Sequence, residues 1–469
     1  MMANMKGNAK KSLGVFSLMM INCAAIMSLR NLPLMSTYGL GMITFYFIAT
    51  VAFFLPVALI SAELASMIPE EGGIYAWVRR AIGEKSAFLC VWLSLITTVT
   101  ALTMTLIFIA TAAAFSINPA WANSRSYVSC FVIAITWLAT LISLKGMRIS
   151  SIVTAISTLL GTVFPGLLIV ALGLCWFLIG RPVQIEFELA ALFPDFSHFS
   201  NVAFLAGIMF AFAGIEMSAY HVNDVRNPRK SYPLAIFYSA ALILLLSVLG
   251  SLAIALVVPK SEIRIEAGVI QALVKVLDDF HLPWLIPILG FCIAFGGIAY
   301  VFAWISGPSR GLFATRITGN LPTFLQRVNA SGMPSTILIA QAIVVTFCAL
   351  IFTFSSSISL GFWIINAASS AMILLMYFFL FATGILLRYK MPTAPRSYRI
   401  PFGNAGMGFL CILGMANVIF CTAIAFVLPK ELEGVVNGKK FACIVFLVTA
   451  LLSCPPLIFQ LFRNPKWKK

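Results

Sequence analysis

Three ionisable side chains stand inside long apolar runs: Arg30, Glu63 and Glu216. A charge at the centre of a bilayer costs roughly 2.5–3.5 kcal/mol even on lenient insertion scales, so such a residue faces protein or a wet cavity and has a partner. Arg30 belongs to Ser28-Leu29-Arg30-Asn31-Leu32-Pro33. Pro33 has no amide hydrogen and disfavours helical geometry at Leu32, which predicts an opened helix with a cation at its break. Opened peptide groups survive at membrane depth only where protein or cavity water covers them. Glu216 belongs to Phe212-Ala213-Gly214-Ile215-Glu216-Met217, where Gly214 weakens a helix by roughly 1 kcal/mol relative to alanine. A guanidinium at the first break can hold a carboxylate, either a solute's or that of Glu216, or it can brace the opened backbone. Glu216 reads as a brace or gate ahead of direct solute contact. Glu63, in Ser61-Ala62-Glu63-Leu64-Ala65, reads as helix packing or a gate. His221, five residues after Glu216, is either a titrating group in the physiological range or a hydrogen-bonding one.

The elements that must carry these residues are membrane helices. Hydrophobic residues make up 61% of the 469 and charged residues 10%, against about 25% charged in a soluble domain. A stretch of roughly twenty apolar residues crosses the hydrocarbon. Twelve such spans are expected, at about 13–38, 42–68, 86–116, 127–144, 151–179, 199–222, 233–258, 283–312, 336–354, 360–387, 407–428 and 441–462. No period-two alternation suggests a barrel. The net charge of +16 raises nucleic acid as a partner, but its distribution argues for a membrane instead. With the N-terminus inside, 22 of the Lys and Arg residues fall in inside segments and 8 in outside ones, with Arg30 the remaining one of 31. That bias is the positive-inside rule and predicts both termini in the cytoplasm. Lys6, Lys10 and Lys11 before an apolar run resemble a signal peptide, yet the run leads into further spans, so an uncleaved first helix is expected. The ten cysteines occur singly, with no CxxC pair, which argues against a disulfide framework or a zinc site.

Spans 1 and 6 are the interrupted ones, five spans apart. This spacing predicts two five-helix units of opposite topology, at 13–179 and 199–387, followed by two trailing helices at 407–462. Short cytoplasmic tails are expected at 1–12 and 463–469. Discontinuous helices at corresponding places in two halves point to a transporter's binding site. Opened helix ends offer amides to an anion and carbonyls to a cation, which suits a zwitterion such as an amino acid. Tyr300 and Trp304, four residues apart, share a helical face and, with Tyr377, are candidates to line the cavity; plain core packing is the alternative. The segment 69–80, with Tyr75, Trp77 and Val78, is expected to form a short interfacial helix. No Gly-rich phosphate loop, HExxH or His/Cys ligand spacing is present, so no enzyme, metal site or cofactor is expected, and uphill movement would draw on another solute's gradient.

Several stretches carry a family resemblance. They are Glu70-Glu71-Gly72-Gly73-Ile74-Tyr75-Ala76-Trp77-Val78, Phe193-Pro194-Asp195-Phe196, Gly214-Ile215-Glu216 with Ala219-Tyr220-His221-Val222-Asn223-Asp224 and Asn227-Pro228, and Trp304-Ile305-Ser306-Gly307-Pro308-Ser309-Arg310-Gly311. In this order they resemble the amino acid–polyamine–organocation superfamily, most closely its glutamate:γ-aminobutyrate antiporter branch, over essentially the whole chain. The resemblance implies an all-α polytopic membrane protein of twelve transmembrane helices. Its core would be a 5+5 inverted repeat of the leucine-transporter type, with substrate between spans 1 and 6. It also implies that Glu216, Trp304 and Tyr377 occupy the family's span 6, span 8 and span 10 positions. The chain departs from the branch where Arg30-Asn31-Leu32-Pro33 replaces a tyrosine-rich break, where Tyr300 replaces an acidic residue, and where Ile373 replaces a second tyrosine. These departures lie where the substrate would sit. The seven residues after span 12 are expected to be too few for a cytoplasmic plug.

The expected protein is an amino acid transporter of the bacterial inner (plasma) membrane, working as an exchanger by alternating access. Its expected substrate-binding residues are Ser28, Arg30, Asn31, Ala213, Gly214, Glu216, Tyr300, Trp304 and Tyr377, with Glu63, Glu216 and His221 in gating or proton-linked roles. Its partners would be a small amino acid and membrane lipids. Proton-coupled symport and a non-transporting amino acid sensor are the two other readings.

Overall fold

A computed structural model describes residues 13–194, 199–263, 268–354, 358–428, 432, 436–462 and 467–468. The expected tail 1–12, most of 463–469, and Asp195 and Phe196 of the stretch before span 6 lie outside the described residues. In chain order the α-helices are α1 (Val15–Ile26), α2 (Leu32–Ser36), α3 (Gly41–Ala49), α4 (Leu55–Met67), α5 (Ile74–Ala81) and α6 (Glu84–Ile117). Next come α7 (Arg125–Leu144), α8 (Met147–Thr158), α9 (Phe164–Leu178), α10 (Phe199–Ala211), α11 (Pro228–Val257) and α12 (Gly268–Asp279). The last six are α13 (Leu285–Ala314), α14 (Ser335–Phe354), α15 (Ile358–Lys390), α16 (Gly403–Ala425), α17 (Gly438–Ser453) and α18 (Pro455–Leu461).

Among the described residues, ten helical stretches are long and apolar enough to cross a membrane, the first Val15–Ser36 and the last Gly438–Leu461. The other two expected spans are the region of α10, which is cut short by a break, and α14, whose described apolar part is Ser335–Ile351. Large apolar side chains such as Phe47, Leu178, Ile412 and Leu451 are exposed on outer helix faces, as a hydrocarbon solvent allows.

The long helix α13 packs along α6, α14 along α7, and α15 against both α6 and α16. The apolar α1 sits among α8, α11 and α13, and so lies in the interior. Two single-turn π segments, Thr50–Phe54 and Leu159–Val163, interrupt the second and fifth spans just ahead of Pro56 and Pro165. A proline cannot donate to the turn before it, and a wide turn absorbs the missing bond. At the second π segment a Cβ on Gly161 would overlap the Gly296 backbone and the Cys292 carbonyl, and a Cβ on Gly296 would overlap Gly161. The fifth and eighth spans therefore cross with their backbones in contact, as small residues permit in membrane bundles.

The end of the bundle where the described chain begins is heavily cross-linked. Leu13 N–H donates to the Asp224 carbonyl (3.0 Å) and Arg226 N–H to the Leu13 carbonyl (2.9 Å). Arg310 holds the Asp224 carboxylate at 2.5 Å, and Arg316 holds Glu71 at 3.3 Å. Helix α5, expected as a short interfacial helix, belongs to this end and packs its apolar face on protein. Tyr75, Trp77 and Val78 are buried, the Trp77 indole donates to the Ile68 carbonyl (3.1 Å), and the Tyr75 hydroxyl meets that of Thr318 (3.0 Å). Its polar tips find protein partners, so the helix turns inward and leaves only Arg79 and Arg80, paired with Glu70, toward water.

Candidate functional site

Both expected breaks are present. In the first, α1 ends at Ile26, and Met27 (φ −77°, ψ 88°) and Ser28 (φ −106°, ψ 118°) are non-helical. One 3-10 turn, Leu29–Asn31, leads into α2. The opening therefore lies ahead of Arg30 and is not caused by Pro33. Leu32 is helical (φ −62°, ψ −44°), and Pro33 sits in the first turn of α2, where a missing N–H costs nothing. In the second break, α10 ends at Ala211, a turn covers residues 212–216, and a 3-10 helix runs over Met217–Asp224. Gly214 has φ +121°, a conformation open to glycine and strained for other residues, and a Cβ there would crowd Trp304 (3.2 Å) and Ala25 (3.3 Å).

The two breaks lie against each other and are capped by the surrounding helices. Trp304 of α13 donates its indole N–H to the Ala25 carbonyl at 2.9 Å, satisfying a group at the end of α1. Tyr377 of α15 accepts the Gly214 N–H at 2.6 Å and donates to the Glu216 carboxylate, 3.0 and 2.9 Å from its two oxygens. Asn22 bridges the halves: its Oδ1 accepts from Ser218 N–H (3.2 Å) and its amide donates to Ser239 (3.3 Å). Sequence reasoning missed Asn22; the only signal is one amide in the apolar run of span 1. Rings frame the contact, with Phe54 stacked on Phe212 (4.8 Å) and Phe53 edge-on to Tyr377 (5.1 Å).

On the far side of the breaks from the cross-linked end, a cavity of ≈ 60 Å³ is lined by Ser28, Asn31, Met35, Tyr46, Phe212 and Ser247, among others. Ser28 and Asn31 thus meet the cavity directly. Ala213, Gly214, Glu216, Trp304 and Tyr377 are buried in the contact between the breaks. Arg30 and Tyr300 are half-buried neighbours, enclosed by protein yet keeping accessible surface, and the Tyr300 ring lies 5.8 Å from that of Trp304. The expected partnership of Arg30 with Glu216 does not form. The carboxylate is turned to Tyr377, and among the described residues Arg30 has neither ion pair nor hydrogen bond.

Two expected residues lie outside this group. Glu63 pairs with Arg388 (2.6 Å) and Arg396 (3.0 Å) and accepts the Ile400 N–H (2.8 Å), joining α4 to the end of α15 and the connection after it. Burial draws the Arg396 guanidinium below its ordinary range, and the Glu63 charge opposes that shift. His221 is fully buried beyond the second break, and neither ring nitrogen has a partner among the described residues.

Among the described residues no cluster of His, Cys, Asp and Glu has the make-up of a metal site. The cavity beside the breaks offers a small solute the polar side chains of Ser28, Asn31, Tyr46 and Ser247. It presents no nucleophile with an activating base.

A family model described as amino acid permease matches residues 13–451. An uncharacterized transporter of Legionella pneumophila is 37% identical, over 95% of this chain and 95% of that one. A glutamate/gamma-aminobutyrate antiporter of Lactococcus lactis subsp. lactis is 28% identical over 96% of this chain and 91% of its own. Among solved structures, a manganese transporter of Eremococcus coleocola matches with a TM-score of 0.63 over 96% of this chain and 95% of that one, at 11% identity, a likeness of fold.

Proposed function

Because this chain belongs to the amino acid permease family, and so is a membrane transporter of the amino acid–polyamine–organocation superfamily and not an enzyme, we propose that it exchanges amino acids by alternating access between spans 1 and 6. The observation that carries this reading is the contact of two opened helices beside a cavity that reaches Ser28 and Asn31. The proposal includes twelve spans, a 5+5 inverted repeat with two trailing helices, and an inner-membrane location with both termini in the cytoplasm. Under that orientation the cross-linked end faces the cytoplasm, and this conformation is closed to it. The substrate backbone lies at Ser28, Asn31 and the residues 213–216, with Arg30, Tyr300, Trp304 and Tyr377 around its side chain.

Exchange is favoured over proton-coupled uptake by the antiporter named among the relatives and by the lack of a lysine in span 5 that could titrate. The test is uptake of labelled amino acid into proteoliposomes. Acceleration by unlabelled amino acid inside supports exchange. Uptake that ignores the internal pool but follows an imposed proton gradient assigns symport, with Glu216 or His221 as the titrating group. Binding without flux assigns a sensor.

A further inference from the structure

Arg30 is a membrane-embedded cation that the protein leaves without a counter-charge. Its side chain is half-buried, and its chain neighbours Ser28 and Asn31 line the cavity beside the breaks. The carboxylate expected to neutralise it, Glu216, is sealed away: 1% exposed and occupied by Tyr377. The neighbour of Arg30, Tyr300, is a phenol and supplies no carboxylate. An uncompensated guanidinium at this depth is too costly to keep without a use.

In the transport reading, the helix ends at the two breaks serve the ammonium and carboxylate shared by all amino acids. Arg30 is additional to that set, one turn beyond the opened residues Met27 and Ser28 and beside a ring that can flank a side chain. A planar guanidinium pairs with a carboxylate through two parallel hydrogen bonds, and it repels an ammonium. We infer that Arg30 is the specificity-determining residue of the site and holds a second carboxylate, on the substrate's side chain, so that the transported class is acidic amino acids and diamines are turned away. This rests on the transport reading above.

The experiment is competition in proteoliposomes, with glutamate, aspartate, glutamine, asparagine and putrescine each tested against a labelled substrate. The protein is compared with its Arg30→Gln and Arg30→Lys variants, and monodispersity in detergent checks each variant. In the unaltered protein the acids should outcompete their amides, and putrescine should not compete. Arg30→Gln should lower the acid-to-amide ratio by about a hundredfold, the scale set by losing one partner of a desolvated charge pair. Arg30→Lys should recover part of it. If Arg30→Gln does not fold, the order acid, amide, diamine in the unaltered protein still decides. Amides preferred by the unaltered protein, or an Arg30→Gln change that weakens acid and amide alike, would overturn the inference and assign Arg30 to the backbone carboxylate. Lack of flux for every amino acid would overturn the transport reading itself, and this inference with it.

Discussion

Arg30 and Arg388 both lie within apolar helical stretches, and the protein treats them in opposite ways. Arg388 is 3% exposed and is met by Glu63, which also engages Arg396 and the Ile400 N–H. Arg30 is half-buried, and among the described residues nothing pairs with it. The first arrangement ties α4 to the end of α15; removing any member strands the others in a low dielectric. The second leaves a guanidinium fork without a partner among the described residues. The two cations differ both in burial and in what meets them.

That contrast predicts different readouts for similar substitutions. The largest effect is expected for Glu63→Leu, which leaves Arg388 and Arg396 buried without their carboxylate. A loss of about 3–5 kcal/mol should appear as poor yield and a lowered melting temperature in detergent. An unchanged melting temperature would break the comparison. Arg30→Ala should instead leave the melting temperature near that of the parent. Uptake of the preferred substrate should fall by about a hundredfold, or roughly 2.7 kcal/mol, when measured in proteoliposomes. A loss of stability without a change in competition profile would make Arg30 a second brace. Tyr377→Phe sits between the two cases, because the hydroxyl serves both Gly214 and Glu216. Two buried groups lose a partner, and a cost of about 1–3 kcal/mol should register in thermal stability and in flux together. A smaller effect is expected for Trp304→Phe, which keeps an aromatic ring, frees the Ala25 carbonyl and leaves part of the indole volume empty. Roughly 1–2 kcal/mol of stability should be lost, read from the same melting curves.

Much of this site can be read from residue types. The breaks announce themselves through Arg30, Gly214 and Glu216, each at odds with an unbroken membrane helix, and Trp304 and Tyr377 follow from the family resemblance. What residue types could not supply is pairing at a distance. Glu216 and Arg30 look like partners because they are opposite charges in interrupted spans. The carboxylate goes to a hydroxyl 161 positions away instead. Arg388 reads as one more basic residue at the inside edge of a helix, and its bond to Glu63 spans 325 positions. Pro33 is the most conspicuous helix breaker in span 1, yet it begins a helix instead of ending one, since its place in the first turn was not visible without knowing where the turn starts. Helix α5 has the amphipathic look of a surface helix until the partners of Tyr75 and Trp77 are known.

The meeting of Gly161 with Gly296 bears on how such a machine can move. No side-chain layer separates the fifth and eighth helices at this crossing, so any relative movement of the two passes through a bare backbone joint. A single methyl group at either glycine would push the two backbones apart at this joint, however far it stood from the solute.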